Sequence, residues 1–290
     1  MDTFINNVRD PVLFLQIFIC QVKSGLLAHN GEPVRSRTAE AYLRAVGQTY
    51  ANVGIVDPRF NNHGSIDYRI QRQLRGWKKL DGPPKRLKTI NIGLIHYTFV
   101  ALHRQNTNES NCLKWIIYVA VFFLHRPGDC SMTSGEPQPF RWCDIQLYMG
   151  QLQLDVFGEK ASQLRAADWS VMTFTVQKSR VPGEIVGQAL SGALRACPFV
   201  VLAELYLLLR KHGAPHDASL GTYREIPSGP LCYIKSSDIS KALKSAARVH
   251  GAEFGIGPDD VSAGCLRSTG AMALFCGGIN SSRIRLLGRW

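Results

Sequence analysis

The sequence has no CxxC pair among its eight cysteines, and most of these cysteines lie inside apolar runs. This usage argues against a zinc site or a disulfide framework and is typical of buried free thiols in a reducing compartment.

Long hydrophobic runs are also missing, since Pro11–Cys20, Trp115–Leu124 and Phe199–Leu209 are all shorter than the roughly 20 residues that a membrane helix needs. The first residues lack the positive charge of a secretory signal. We expect an intracellular protein without a membrane segment.

Common catalytic signatures are absent as well. The chain has no GxxxxGK[ST], GxSxG or HExxH motif, and no paired-carboxylate cluster that could hold two metal ions. Among the eight histidines only His212 and His216 have a ligand-like spacing, and their Gly/Pro context predicts a surface loop. We therefore expect no metal and no small-molecule cofactor, which argues against a metal-dependent nuclease.

Acidic residues are scarce relative to basic ones. Lys and Arg total 34 against 22 Asp and Glu, which gives a formal net charge of +12. A surplus of this size favours a polyanionic partner, although a solvated basic surface would also explain it. The 290 residues, 45% of them hydrophobic, are enough for one large domain or two modest ones.

The periodicity predicts an α+β fold that is mainly α. A helix opens at Arg37–Glu40 and ends before Gly54, a second covers Ser65–Lys79, and Asp81–Pro84 ends it because proline cannot continue a helix. We place a domain boundary there, with a helical domain at 1–84 and a larger domain at 85–290. The polar run Arg104–Asn111 is interpreted as a loop.

The larger domain begins with a helix at Cys112–Leu124 that is apolar on nearly all sides and therefore buried. Alternating residues around 145–156 and 172–176, with a turn at Met149-Gly150, predict a small antiparallel sheet. Three further helices are predicted; they are Pro198–Lys211, Ser237–His250 and Ser262–Phe275.

Two clusters of bases could contact DNA. Between residues 69 and 88 the chain has one acid, Asp81, and eight bases, which are Arg69, Arg72, Arg75, Lys78, Lys79, Lys85, Arg86 and Lys88. The second cluster is the stripe of Lys241, Lys244 and Arg248 on the helix at 237–250. Bases on one helix face are typical of a surface that follows a phosphate backbone, and an ordinary solvated helix face is the alternative.

Three segments combine arginine or lysine with small or apolar neighbours. The first is His125-Arg126-Pro127-Gly128-Asp129, in which Asp129 could orient the Arg126 guanidinium. The second is Gln177-Lys178-Ser179-Arg180, at the exit of a predicted strand. The third holds Arg267 among Gly264, Ser268, Gly270 and Ala271, and it leads to the run ending in Leu287-Gly288-Arg289-Trp290.

In this order the three segments resemble the tyrosine recombinase, or phage integrase, family. That family has a buried helix ending in Arg-x-x-Glu/Asp, a "W-x-D-I" strand entry, a hairpin lysine, a His-x-L-Arg helix and an "LGH/RW" turn. The resemblance covers roughly residues 85–290, and residues 1–84 are similar in position and character to the family's core-binding domain. It implies double-stranded DNA as the partner, homo-oligomeric assembly on DNA, and a protein of a mobile element that acts where the DNA is, in the nucleus or the nucleoid.

The resemblance also implies roles for individual residues. Arg126 and Arg267 would hold one scissile phosphate without a metal ion, and Lys178 would protonate the departing 5′ oxygen. Trp290 would pack beside that phosphate, and Asp129 would hold Arg126. In the family a tyrosine beyond this motif forms a 3′-phosphotyrosyl bond.

Two departures set this chain apart from the pattern. Gly264 stands where most relatives have a histidine, and all nine tyrosines precede the motif that ends at Trp290. The chain as given is therefore expected not to complete strand cleavage, as for a truncated gene model, a decayed copy or a fragment. The alternatives are a DNA-binding module that keeps the fold without cutting and a helical domain whose basic faces bind acidic proteins; a type IB topoisomerase would also need the tyrosine.

Overall fold

The computed structural model describes residues 8–83, 87–133, 139–175, 183–189 and 197–290. The chain divides into two compact units, Met1–Lys85 and Arg86–Trp290, so the division lies beside the boundary predicted from Asp81–Pro84. The described chain is mainly helical with a small antiparallel sheet. The predicted class, α+β and mainly α, is confirmed at this level.

The first unit contains three helices, which are α1 (Pro11–Lys23), α2 (Ser36–Asn52) and α3 (Tyr68–Leu80). Their buried faces form a core that includes Leu15, Ile19, Leu43, Ile70 and Leu74. Asp81, directly after α3, ties the three helices together. Its carboxylate accepts from Lys23 Nζ at 2.7 Å and from the Ser36 amide at 2.7 Å. These hydrogen bonds, led by that of Lys23, lower the pKa of Asp81 to about 2.

Helix α3 begins later than the sequence predicts. Asp67 is its N-cap and accepts from the Arg69 amide at 2.8 Å, so residues 65–67 precede the helix and do not form its first turn. Ile66, which the prediction placed inside the helix, is exposed and pairs with Phe60 in an isolated β-bridge. The helix ends at Leu80, as the Asp81–Pro84 run predicts.

The second unit contains the remaining elements. Its helices are α4 (Ile92–Gln105), α5 (Asn108–Phe122), α6 (Pro127–Cys130), α7 (Ala161–Arg165), α8 (Pro198–Lys211), α9 (Ser236–His250), α10 (Cys265–Cys276) and α11 (Ser281–Gly288). Its strands are β1 (Ile145–Met149), β2 (Leu152–Gln153), β3 (Trp169–Phe174), β4 (Glu184–Ala189), β5 (Thr222–Tyr223) and β6 (Cys232–Tyr233). Strands β1 to β4 form one antiparallel sheet in the order β2-β1-β3-β4.

Helix α5 lies at the centre of this unit and packs against α4, α8 and α10. Its buried side chains cover nearly the whole circumference, including Cys112, Ile116 and Val119, which confirms the predicted buried helix. The polar run 104–111 is not the loop that we predicted, because α4 extends to Gln105 and α5 starts at Asn108. Thr107 caps α5 by accepting from the Ser110 amide at 3.0 Å, and this cap allows a two-residue connection.

The sheet matches the prediction in place and direction but differs in detail. Gly150 adopts a φ of 59° at the turn between β1 and β2, a left-handed conformation that glycine takes without steric cost. Strand β2 ends at Gln153 rather than at 156, since Asp155 turns the chain by accepting from the Phe157 amide at 3.0 Å.

The cysteines are all free, but they are less uniformly buried than predicted. Cys112, Cys130, Cys197 and Cys265 are buried, whereas Cys20, Cys143 and Cys276 are exposed. Within the ranges described above, no helix has both the length and the apolar character that crossing a membrane requires.

Candidate functional site: an arginine cluster and two basic surfaces

Arg126 sits in a turn that leads from α5 into α6. After α5 the chain reverses at Leu124, whose φ is 51°, and Arg126 becomes the N-cap of α6. The Asp129 carboxylate accepts from the Arg126 backbone amide at 2.9 Å. Asp129 therefore holds the main chain of Arg126, whereas the predicted contact was to the guanidinium, and no such contact occurs among the described residues.

Arg267 projects from the first turns of α10, which packs closely against α5. Gly270 makes this approach possible, because a Cβ at that position would overlap the Val121 carbonyl oxygen. The Arg267 side chain is buried, and its Nη2 donates to the carbonyl oxygen of Gly288, the last residue of α11. The Trp290 ring lies beside it, with the guanidinium carbon 4.7 Å from the ring centroid.

Arg289 enters the same site from the end of α11, and sequence reasoning missed it. Its side chain is only 4% exposed, and its Nη2 lies 3.6 Å from Asp129 Oδ2. Its guanidinium carbon lies 3.8 Å from the centroid of the Phe174 ring. Trp290, to which we had assigned the place beside the phosphate, is 60% exposed. The sequence feature that could have indicated Arg289 is that it is the one charged residue in the run Leu287–Trp290.

Three guanidinium groups therefore share one neighbourhood, and we call Arg126, Arg267 and Arg289 the arginine cluster. Burial, followed by the charges of Arg126 and Arg289, lowers the pKa of Arg267 to about 10. Burial also lowers the pKa of Arg289, against the opposing effect of Asp129 and Glu184. Because a pKa of about 10 is well above neutrality, Arg267 remains charged and the cluster is strongly positive.

Buried aromatic side chains pack next to the arginine cluster. His125 is fully buried and stacks on Phe140 with ring centroids 4.7 Å apart, while Phe174 meets Phe140 edge-on at 4.6 Å. Burial and the nearby charges of Arg289 and Arg267 hold the pKa of His125 well below its usual value. His125 is therefore neutral and adds no charge to the cluster at neutral pH.

Lys178 and Gly264, the other predicted site residues, have different outcomes. Lys178 lies outside the described residues, in the connection between β3 and β4. Gly264 is exposed at the N-cap of α10 with ordinary helical φ and ψ of −62° and −21°. A Cβ there would meet only Ser262 Oγ, at 3.5 Å, so the position has room for a side chain.

The basic face of α3 is divided by ion pairs. Arg69 lies 2.6 Å from Asp10, at the N-terminus of α1, and Lys78 lies 2.9 Å from Glu40 on α2. The exposed residues Arg72, Arg75 and Lys79 form a stripe opposite the buried Ile70 and Leu74, and we call these three residues the α3 stripe. Among the described residues no ion pair engages the α3 stripe.

The remaining predicted DNA contacts are more scattered. Lys88 is ion-paired with Asp260 at 2.9 Å and donates to the Gly255 carbonyl oxygen at 2.9 Å. Lys85 and Arg86 lie outside the described residues. On α9, Lys241 and Arg248 are exposed and Lys244 is half-buried, while Asp238 lies 3.5 Å from Lys241.

No group of three or more His, Cys, Asp or Glu residues in the described segments could hold a metal ion. His212, predicted at the surface, is instead buried. It ends α8, and the Arg224 side chain donates to its carbonyl oxygen at 2.7 Å.

No protein-family model matches this chain, and a search of curated proteins also returned no match.

Proposed function

We propose that this protein binds double-stranded DNA, and that the arginine cluster receives one backbone phosphate in the manner of the tyrosine recombinases that its motifs resemble. The observation that carries the proposal is the convergence of Arg126 and Arg267. These residues are far apart in sequence, yet Arg267 lies on α10, which packs closely on α5 at Gly270, and α5 leads into the turn that holds Arg126. After burial, the charge of Arg126 is the next cause of the lowered pKa of Arg267.

The chemistry of the cluster supports an oxyanion ligand. Planar guanidinium groups donate paired hydrogen bonds that match the geometry of phosphate oxygens. Gathering such groups at a half-buried site is unfavourable without an anion, because like charges repel more strongly where water is excluded. A phosphate that entered the cluster would offset this repulsion.

Lys178 belongs to the proposal through the family resemblance alone, which implies that it is the general acid. It lies outside the described residues.

The same residues favour DNA binding without cleavage over an active recombinase. Gly264 has no side chain that could hydrogen-bond to the phosphate or move a proton. The tyrosines lie on other elements: Tyr206, for example, is buried and donates to the carbonyl oxygens of Trp142 and Ile145 at 3.0 and 2.8 Å. The recombinase fold as a DNA-binding module is therefore the function that we favour for this chain.

We expect no covalent protein–DNA adduct from these 290 residues. The measurement is incubation with nicked suicide substrates followed by denaturing electrophoresis, with an active tyrosine recombinase on its own substrate as the positive control. An SDS-resistant adduct that disappears on protease treatment would contradict the prediction and would show that one of the nine tyrosines reaches the cluster.

Binding to a DNA duplex is expected to weaken steeply as salt is raised. A protein that neutralises six or more phosphates loses about 10³-fold in affinity between roughly 50 and 200 mM salt, because it releases condensed counterions. Fluorescence anisotropy with a labelled duplex measures this dependence. Absent or salt-insensitive binding would refute the proposal and favour the alternative of a helical domain that binds acidic proteins.

A further inference from the structure

We propose that Arg289 is a third ligand for the anion at the arginine cluster, taking the place beside the phosphate that the sequence suggested for Trp290. The inference rests on the proposed function for the identity of the ligand, a DNA phosphate. Its structural basis is the geometry of Arg289 itself, and it applies to any tetrahedral oxyanion that enters the cluster.

Unused hydrogen-bond donors are the first observation. Both close contacts of the Arg289 head group use Nη2, which lies 3.6 Å from Asp129 Oδ2 and 3.4 Å from the Leu124 carbonyl oxygen. Its Nε and Nη1, and Nη1 of Arg267, are buried and have no hydrogen-bond partner among the residues that the structure describes. Buried donors are almost always satisfied in folded proteins, so a group of three points to a missing acceptor.

Backbone conformation is the second observation. Only three non-glycine residues in the described chain have positive φ, and two of them, Leu124 at 51° and Arg289 at 55°, meet at this site. The left-handed conformation of Arg289 belongs to a Schellman C-cap, in which the Trp290 amide donates to the Arg285 carbonyl oxygen and the Arg289 amide to that of Leu286, both at 3.1 Å. This cap fixes the point at which the Arg289 side chain leaves the helix. The cap follows the end of α11 at the residue whose guanidinium packs on Phe174 beside Asp129.

Charge balance is the third observation. The charges that act on both Arg267 and Arg289 are those of Arg126 and of Asp129, with Glu184 as a further acid near Arg289. Positive charge therefore remains in excess at a site where Arg267 and Arg289 are largely shielded from water. Arg126 is half-buried and Trp290 is exposed, so the cluster is open to solvent at these two residues. An anion would enter there.

A purely structural role for Arg289 makes a different prediction. If the side chain served only to tie α11 to Asp129 and Phe174, its removal would lower stability but would leave anion affinity unchanged. A ligand role requires that anion affinity falls, whatever happens to stability. The experiment must therefore measure anion affinity separately from stability.

The test is a titration of the full chain with sodium sulfate, compared with sodium chloride at equal ionic strength, while the unfolding temperature is recorded. Wild-type protein should show a saturable, sulfate-specific rise. In Arg289→Gln we expect the apparent sulfate affinity to fall about 10- to 100-fold, the effect of losing hydrogen bonds to a charged group. Arg285→Gln removes the same charge from an exposed position on α11 and should behave like wild type.

The outcomes separate this inference from the proposed function when the same variants are also titrated with labelled duplex. Wild-type sulfate affinity in Arg289→Gln, or no saturable sulfate response in wild type, would overturn the inference even if DNA binds. Sulfate binding that depends on Arg289, without any DNA binding, would support the inference and refute the proposed function. If Arg289→Gln does not fold, Arg289→Lys decides: it keeps the charge but not the planar fork, and unchanged sulfate affinity would overturn the inference.

Discussion

The double variant Arg72→Gln/Arg75→Gln is expected to bind a DNA duplex with a salt dependence shallower by about 1.8 in log–log slope, two contacts at about 0.9 each. At low salt this corresponds to a loss of roughly 100-fold in affinity. The reason is that only some of the bases on α3 are ion-paired with residues of the neighbouring helices. Its flanking bases are ion-paired with α1 and α2, whereas Arg72 and Arg75 face away from the core without an ion pair within the described part of the chain.

A charge-matched control separates the effect of losing the α3 stripe from the effect of a lower net charge. Arg37 and Arg44 are exposed on α2 of the same unit, so Arg37→Gln/Arg44→Gln removes two positive charges without touching α3. We expect this control to retain most of the wild-type slope in the same anisotropy titration. Equal losses in the two double variants would show that overall charge determines binding, and the α3 stripe would then not be the DNA contact.

Gly270→Val is expected to destabilise the second unit by about 3 kcal/mol, measured as the free energy of unfolding in urea. Any Cβ at this position overlaps the Val121 carbonyl oxygen of α5, and a backbone atom inside a packed helix pair cannot move aside cheaply. The branched side chain must push α10 away from α5, and Arg267 moves with α10. We therefore expect the folded fraction of this variant to have lost sulfate binding at the cluster.

Gly264 provides the matched control three positions before Arg267. Its surroundings are open and its backbone is helical, so Gly264→Ala should change the unfolding free energy by no more than about 0.5 kcal/mol. Gly264→His, which introduces the side chain that most tyrosine recombinases have at the position resembling this one, should fold equally well. A Gly270→Val protein as stable as Gly264→Ala would contradict the close packing of α10 on α5.

Local elements with a clear period were predictable from sequence. Helix α8 begins and ends where the pattern places it, and α5 is buried nearly all round because its apolar residues leave no polar face. Predictions failed at element ends, where one hydrogen bond decides the outcome. Asp67 delays the start of α3, and Thr107 shortens a predicted loop to two residues. Such caps depend on backbone geometry that a hydrophobic pattern does not report.

The candidate site shows the same division between local pattern and tertiary contact. The sequence by itself determined that arginines at positions 126 and 267 stand in unusual surroundings, among apolar and small residues that suit a close approach. Only the tertiary structure decided that Arg289 is the third member of the cluster, and that Arg72 and Arg75, unlike Arg69, are without an ion pair in the described chain. The physical reason is that a charge is paired or free according to groups on other helices, and no pattern along one helix contains those groups.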